Sequence, residues 1–322
     1  MSNYRFQLEK YTGLKSRYIC PNCNQRQFVR YVDQQTDQHI DPKVGRCNRE
    51  EKCGYHFAPK QYFSDKKIPI TGNPFISRKI IKPEKIFYFD REDVKRTLGN
   101  KVEHSNLYRF LQIKFDKKSV DQVFQKYLVG TSSKWNKSTV FWQVDSNFNI
   151  KAGKIMCYDV DTGKRDKKRF SWYKTQDGFK MEQCFFGGHL LKTAPTNKKV
   201  GIVESEKTAL ICDIFFHDTF IWLSSCGLQG LNESKFLELR NREGILFPDL
   251  SIKSSKNTAY EIWKRKANSI SNNLNIDIRL STFLEENATD RQKEEQWDLA
   301  DFLLQELSKK NNLKFCYSGK NV

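Results

Sequence analysis

The sequence predicts an α/β protein: a C-terminal parallel sheet with helices on its faces, preceded by a basic α+β region and a small N-terminal module built around a metal ion. Three observations predict it. From residue 198 onward, strand-like and helix-like runs alternate. Of nine cysteines, four (Cys20, Cys23, Cys47 and Cys53) cluster while the others are scattered. The net charge of +18 is unevenly placed: 13 basic and 7 acidic groups in residues 1–67, 25 and 13 in 68–197, and 18 and 18 in 198–322. The whole excess therefore sits in the first 197 residues, which points to a polyanionic partner there. At 322 residues the chain exceeds one ordinary core, and breaks are expected to give parts 1–66, 84–197 and 198–322. An aromatic content of 13% argues against a disordered chain. No run of 18 uncharged apolar residues exists, and Met1-Ser-Asn-Tyr-Arg-Phe-Gln has no apolar signal region. A soluble, cytoplasmic protein without membrane contact is the expectation.

The N-terminal module comes first. A reducing compartment keeps thiols free, so clustered cysteines read as metal ligands. Cys20-x2-Cys23 has the spacing of a zinc knuckle, in which two sulfurs face one ion. Cys47-x5-Cys53 is a wider return pair, and His56 is an alternative ligand close by. Between the pairs lie a strand-like run, Phe28 to Val32, and a polar turn, Asp33 to Asp37. Knuckle, hairpin and knuckle make a zinc ribbon with structural zinc. The scattered Cys157, Cys184, Cys212, Cys226 and Cys316 read as small buried apolar residues. Residues 64–83, with three prolines and a glycine, read as a linker.

In the middle part, Asp90–Leu98, Ser105–Leu111 and Lys118–Leu128 read as short helices. Thr139–Val144, Asn149–Tyr158 and Lys168–Tyr173 read as antiparallel strands with turns at Asp145-Ser-Asn and Asp161-Thr-Gly. This part carries Lys164, Arg165, Lys167, Lys168, Arg169 and Trp172, with Lys134, Trp135 and Lys137 upstream. Cations neutralise phosphates and aromatic faces stack on unpaired bases. Single-stranded DNA is the expected partner; a solvated hairpin with core aromatics is the plainer alternative.

The last part supplies strands at Val200–Val203, Phe220–Leu223, Gly244–Phe247 and Ile276–Leu280. Helices are expected over Glu206–Phe216, Asn232–Arg240, Thr258–Ile270 and Trp297–Leu307. In an open parallel sheet, ligands sit beyond the carboxyl ends of the strands. Glu204 and Asp249 end the first and third strands, so they are candidates to hold Mg²⁺ or Mn²⁺ through oxygen. An acidic helix start without a ligand is the alternative for Glu204.

The order of these segments resembles the toprim domain of bacterial-type primases, topoisomerases and related nucleases. Val203-Glu204-Ser205-Glu206-Lys207 is similar to its first motif, Leu223-Ser-Ser-Cys-Gly227 to the turn after its second strand, Ile245-Leu-Phe-Pro-Asp249 to the strand bearing Asp-x-Asp, and Trp297-Asp298-Leu-Ala-Asp301 to its closing Asp-x-x-Asp segment. A zinc ribbon, a basic α+β region and toprim is the order of bacterial-type primases. Cys47-Asn-Arg-Glu…Cys53-Gly-Tyr-His56 and Gln183-Cys-Phe-Phe-Gly187 resemble zinc-finger/toprim proteins on mobile elements of Bacteroidetes. The resemblance implies catalytic roles for Glu204, Asp249 and Lys207 (base or metal ligand, metal ligand, phosphate contact). It implies primer synthesis, with toprim-type cleavage or DNA binding without catalysis as alternatives. Two departures matter: Ser251 stands where the family has its second metal-binding aspartate, and Ser205 where it has glycine. Asp298 and Asp301 are candidates to supply the missing oxygen. No Gly-x4-Gly-Lys-Ser/Thr segment is present, so a helicase or relaxase partner would be a separate chain.

Overall fold

The computed structural model describes residues 4–68, 85–99, 101–174, 179–252 and 257–308. The chain divides into two units, residues 1–83 with 254–258 and residues 84–253 with 259–322. Most of the expected linker, residue 316 and residues 253–256 lie outside the described residues.

The first unit is an antiparallel sheet wrapped around four sulfurs. Its strands are β1 (Phe6–Leu8), β2 (Tyr18–Ile19), β3 (Arg26–Asp33), β4 (Gln38–His39), β5 (Gly45–Cys47) and β6 (His56–Phe57), followed by helix α1 (Pro59–Asp65). The long β3 pairs with β1, β2, β4 and β5, so nearly every element leans on one strand. The core is small: Phe28 with Cys20, Cys47 and Cys53. Residues 64 and 65, expected in the linker, end helix α1 instead, which Pro59 opens at its first turn. Arg5 and Asp33 clasp β1 to the end of β3 through a 2.6 Å ion pair.

The second unit begins with β7 (Lys85–Phe87), α2 (Arg91–Leu98), α3 (Asn106–Lys114) and α4 (Lys117–Lys126). Each helix has a side-chain cap, from Asp90, Ser105 and Asp116. Strands β8 (Val129–Gly130), β9 (Thr139–Val144), β10 (Ile150–Tyr158) and β11 (Arg165–Trp172) form an antiparallel sheet in the order β11-β10-β9-β8. β9 is buried along its whole length and β10 almost so, because both faces are covered. β12 (Phe179–Met181) pairs in parallel with β7, and α5 (Leu190–Thr193) follows.

The parallel sheet comprises β13 (Lys199–Val203), β14 (Phe220–Ser224), β15 (Gly244–Phe247) and β16 (Ile278–Leu280), in the order β14-β13-β15-β16. Its helices are α6 (Glu206–Phe216), α7 (Glu233–Phe236), α8 (Ala259–Leu274), α9 (Phe283–Asn287), α10 (Asp290–Glu294) and α11 (Leu299–Ser308). Side chains alternate between two cores, as a pleated strand requires. Phe220, Trp222, Ile245 and Phe247 pack with α6 and α11, whereas Ile221, Leu223 and Leu246 pack with Trp263 of α8 and Phe236 of α7. Gly201 is needed here: a Cβ would stand 2.5 Å from the Trp222 ring. The first of these cores also takes in Leu107, Phe124, Phe141 and Met156. A single apolar mass therefore joins the α+β region to the parallel sheet, which is why the two form one unit.

The expected helix over 232–240 is interrupted. α7 ends at Phe236, a 3-10 turn covers Leu237–Leu239, and the chain reverses through Asn241 at φ +72° into β15. β11 starts three residues earlier than expected. Among the described residues no helix is long and apolar enough to cross a membrane.

Candidate functional site

Two groups of chemistry-bearing residues form, one in each unit. In the first, the turn after β2 folds so that the Cys20 amide donates to the Gln25 carbonyl at 2.9 Å, with Asn24 at φ +53°. The second knuckle closes through the Cys47 amide to Tyr55 O (2.8 Å) and the Cys53 amide to Arg49 O (2.8 Å), and Gly54 takes φ +63°. All four sulfurs lie within 4.8 Å of one another. The Cys20–Cys53 and Cys23–Cys47 separations are 3.7 and 3.9 Å. Zn–S bonds near 2.3 Å in a tetrahedron place sulfurs about 3.8 Å apart, so the cage has the size zinc requires. Burial pushes the Cys53 thiol up, but hydrogen bonds led by Asn22 Nδ2 bring it down to about 7. His56 is not in the cluster; it stacks on Tyr31 and its Nε2 lies 3.0 Å from the Tyr31 hydroxyl. The donor set supports structural zinc held by four cysteines.

The second group stands at the carboxyl edge of the parallel sheet. β13 and β15 are neighbours with Val203 opposite Phe247, so Glu204 and Asp249 leave adjacent strand ends. The Leu250 amide donates to Trp297 O at 2.9 Å, which brings Asp298 alongside Asp249. Thr208 Oγ1 donates to Asp298 Oδ2 at 2.6 Å and ties the same segment to the start of α6. Asp298 and Asp301 cap each other's amides: Asp301 N to Asp298 Oδ1 is 2.9 Å and Asp298 N to Asp301 Oδ2 is 3.1 Å. Both Asp298 oxygens are thus engaged by the protein.

Asp249 is the exposed nerve of this cluster. Its Oδ1 is buried with no hydrogen-bond partner among the described residues. Burial, then the charges of Glu204, Asp298 and Asp301, hold its carboxyl well above the usual carboxylate range. Asp301 is pushed up to about 6, by burial and then by Asp298. Lys207 is the countercharge: burial disfavours its ammonium, but Asp298, Asp301 and Asp249 together raise it. Carboxylate oxygens are the donor type a hard divalent cation takes, although among the described residues only the four cysteines bring three or more ligand atoms close enough together to hold an ion.

The backbone under Glu204 is held from the side. Its carbonyl accepts from the Gly227 amide at 3.0 Å and from Ser224 Oγ at 2.9 Å. Gly227 at φ +131° and Cys226 at φ +67° make that turn. Ser205 is the N-cap of α6, accepting from the Thr208 amide at 3.1 Å, which gives its hydroxyl a purpose where glycine was expected. Ser251 Oγ accepts from the Ala259 amide at 2.7 Å, at the start of α8.

Glu206 does not join the other carboxylates. It is buried in a 2.8 Å ion pair with Lys154 of β10, whose Nζ also donates to Cys226 O at 3.3 Å. Sequence reasoning missed Lys154 and Lys235; the signal for Lys154 is a lysine in the middle of a strand that, Lys151 apart, is otherwise apolar.

The basic stripe lies on β11, the edge of its sheet. Phe170 pairs with Met156 and Arg165 with Tyr158, so residues 166–169 bulge out of the ladder. Within the bulge, Asp166 binds Arg169 at 2.7 Å and accepts the Lys168 amide at 2.8 Å, which leaves Lys167 and Lys168 outermost and exposed. Phe170 is 45% exposed and stands edge-on to Trp172, which is half-buried. Lys134 donates to Ser171 Oγ at 2.5 Å and so reaches β11, and it lies over the Trp135 ring. Trp135, however, packs partly into the core beside Trp142. Lys137 occupies a turn at φ +59°, and no hydrogen bond or ion pair ties it to β11 among the described residues. Lys164, which closes the turn between β10 and β11, is close enough to exert a small lowering influence on the Asp301 and Glu295 carboxyls. The stripe and the carboxylate crevice are therefore neighbours.

A zinc β-ribbon finger family matches residues 4–68, and a family described as a domain of unknown function (DUF6371) matches residues 105–250. A search of curated proteins found no match. Among solved structures the chain is similar to the primase fragment of the bacteriophage T7 primase-helicase protein, at 14% identity over 87% of this chain and 98% of that one, with TM-score 0.37. It is similar to a DnaG catalytic core at 10% identity, 68% and 81% coverage and TM-score 0.43. The zinc-binding and RNA polymerase domains of Aquifex aeolicus primase give 14%, 94% and 84%, and 0.35. The structural neighbours are thus DnaG-type primases, and the N-terminus carries a zinc ribbon.

Proposed function

We propose that this chain is a primase-like protein that binds single-stranded DNA and transfers nucleotides with a divalent metal, serving a mobile element. The observation that carries the reading is the gathering of Glu204, Asp249, Asp301 and Lys207 at one strand edge, with a buried Asp249 oxygen that has no hydrogen-bond partner among the described residues. Glu204, Asp249 and Asp301 would hold Mg²⁺ or Mn²⁺, with Asp298 orienting Asp301 through their reciprocal caps. The ion would activate an attacking oxygen and neutralise phosphate charge. Lys207 would contact a phosphate. The ribbon of residues 1–66 and the basic region 84–197 would bind DNA, and 198–322 would act as the toprim-type part. A helicase or relaxase would be a separate chain.

One observation favours a second reading, DNA binding without catalysis: the Ser251 hydroxyl is already engaged as a cap for α8, so the crevice has one carboxylate fewer than the resemblance calls for.

Primer synthesis on single-stranded circles with labelled nucleotides and Mg²⁺ or Mn²⁺ separates the two. Under the first reading wild type makes primers, and Glu204→Gln abolishes synthesis while DNA affinity stays unchanged. Primers made equally well by Glu204→Gln would remove the site. If wild type is silent and Ser251→Asp gains metal-dependent synthesis, the binding reading holds. DNA affinity should fall steeply with salt. Replacing Lys167, Lys168 and Arg169 with Ala should flatten the log–log slope by about two, at roughly 0.7 per lost phosphate contact.

A further inference from the structure

A cavity of about 540 Å³ lies beside the turn that grips Glu204, and its wall includes Lys235, Gln229, Asn232, Ser234 and Cys226. Lys235 is only 2% exposed. Its Nζ donates to the Ser225 carbonyl at 2.9 Å, and the Phe185 ring centroid lies 5.6 Å away. Both neighbours are uncharged. Among the described residues no carboxylate pairs with Lys235. That is unusual, because a buried ammonium loses its hydration and needs a counter-ion to offset the loss.

The nearby acids do not supply one. Glu182 is bound by Lys151 at 2.8 Å, and Lys151 also lies 3.7 Å from Asp145. Glu238 accepts the Ser146 amide at 2.9 Å. Lys235 is therefore a buried cation with no carboxylate paired to it, in a cavity whose lining carries three lysines (Lys151, Lys180 and Lys235) against two glutamates (Glu182 and Glu238), at a volume within the usual range for small-ligand sites.

We infer that this cavity binds a phosphoryl group, with Lys235 as its buried countercharge. The phosphoryl could come from a free nucleoside triphosphate or from a DNA backbone. Neither source requires the carboxylate crevice to be catalytic.

The test is calorimetric binding to the zinc-loaded full chain in buffer free of Mg²⁺ and Mn²⁺, which leaves the carboxylate crevice without its ion. The probes are ATP, tripolyphosphate and a short oligothymidylate. Lys235→Met should weaken binding about tenfold or more, as loss of a charge-assisted contact predicts. Because Lys235 also tethers the Ser225 carbonyl, Met could loosen the turn, so a second variant is needed. Ser234 is exposed at the cavity wall, and Ser234→Glu adds a repelling charge without touching the core. It should weaken the same probe. Loss for ATP and tripolyphosphate identifies the triphosphate as the source; loss for oligothymidylate alone identifies backbone phosphate. No binding of any probe by wild type, or binding untouched by Ser234→Glu, overturns the proposal, whatever the primer assay shows.

Discussion

The zinc cage and the carboxylate crevice solve the same electrostatic problem in opposite ways. The cage draws its four ligands from residues 20 to 53, and two short turns aim them inward. The crevice draws Glu204, Asp249 and Asp301 from segments nearly a hundred positions apart, and only a completed sheet and helix α11 bring them together. The cage has little other core to fall back on, since among the described residues of its unit Phe28 is the one large, fully buried side chain. The crevice sits on two apolar cores that exist without it. A ligand cluster that makes its fold should therefore respond to metal removal very differently from one that is merely borne by its fold.

Zinc is the largest lever. Metal analysis should find one zinc per chain, and chelation or Cys20→Ser should unfold the first unit, because structural zinc contributes on the order of 10 kcal/mol to modules of this size. Amide exchange would show protection lost in β3 and β5 while β13 to β15 stay protected. An unchanged first unit without metal would break the comparison on its first side.

The next effect tests the scaffold under the crevice. Lys154→Met leaves Glu206 charged and buried, and should cost about 3–5 kcal/mol in denaturant unfolding. Adding Glu206→Leu should recover much of that loss. A mild single variant would mean the crevice is less firmly supported than its buried ion pair suggests.

The smallest effect concerns the crevice itself. Asp249→Asn removes a carboxylate crowded by Glu204, Asp298 and Asp301, so metal-free protein should gain about 1 kcal/mol, a few degrees in Tm. Mg²⁺ should raise the wild-type Tm and leave the variant's alone. Equal shifts would place the ion elsewhere.

The same contrast explains what could be read from the sequence. Cysteine spacing reports geometry directly, so the cage was legible. Strand and helix runs in the last part were legible too, because each apolar stretch has its own period: Glu206–Phe216 and Gly244–Phe247 fall where expected. Glu204 and Asp249 stood out through their place at strand ends. What stayed hidden is set by long-range partners. Nothing local says that Glu206 turns away to Lys154, that Ser251 caps α8, or that Lys235 is buried. The bulge at 166–169 was equally silent, since its sequence reads as an ordinary polar strand.

That bulge has a bearing on solubility. β11 is an outer strand, and an unpaired strand edge is a template on which a second chain can add its own strand. Pushing Asp166 to Arg169 out of the ladder breaks the row of free amides and carbonyls, and the lysines at its crest repel another copy. Shortening the hairpin to a regular register would leave a flat, aromatic edge carrying Phe170 and Trp172. The proposed DNA contact of this strand and its resistance to self-association would then be lost together, and the shortened protein would be expected to aggregate through β11 before it lost its fold.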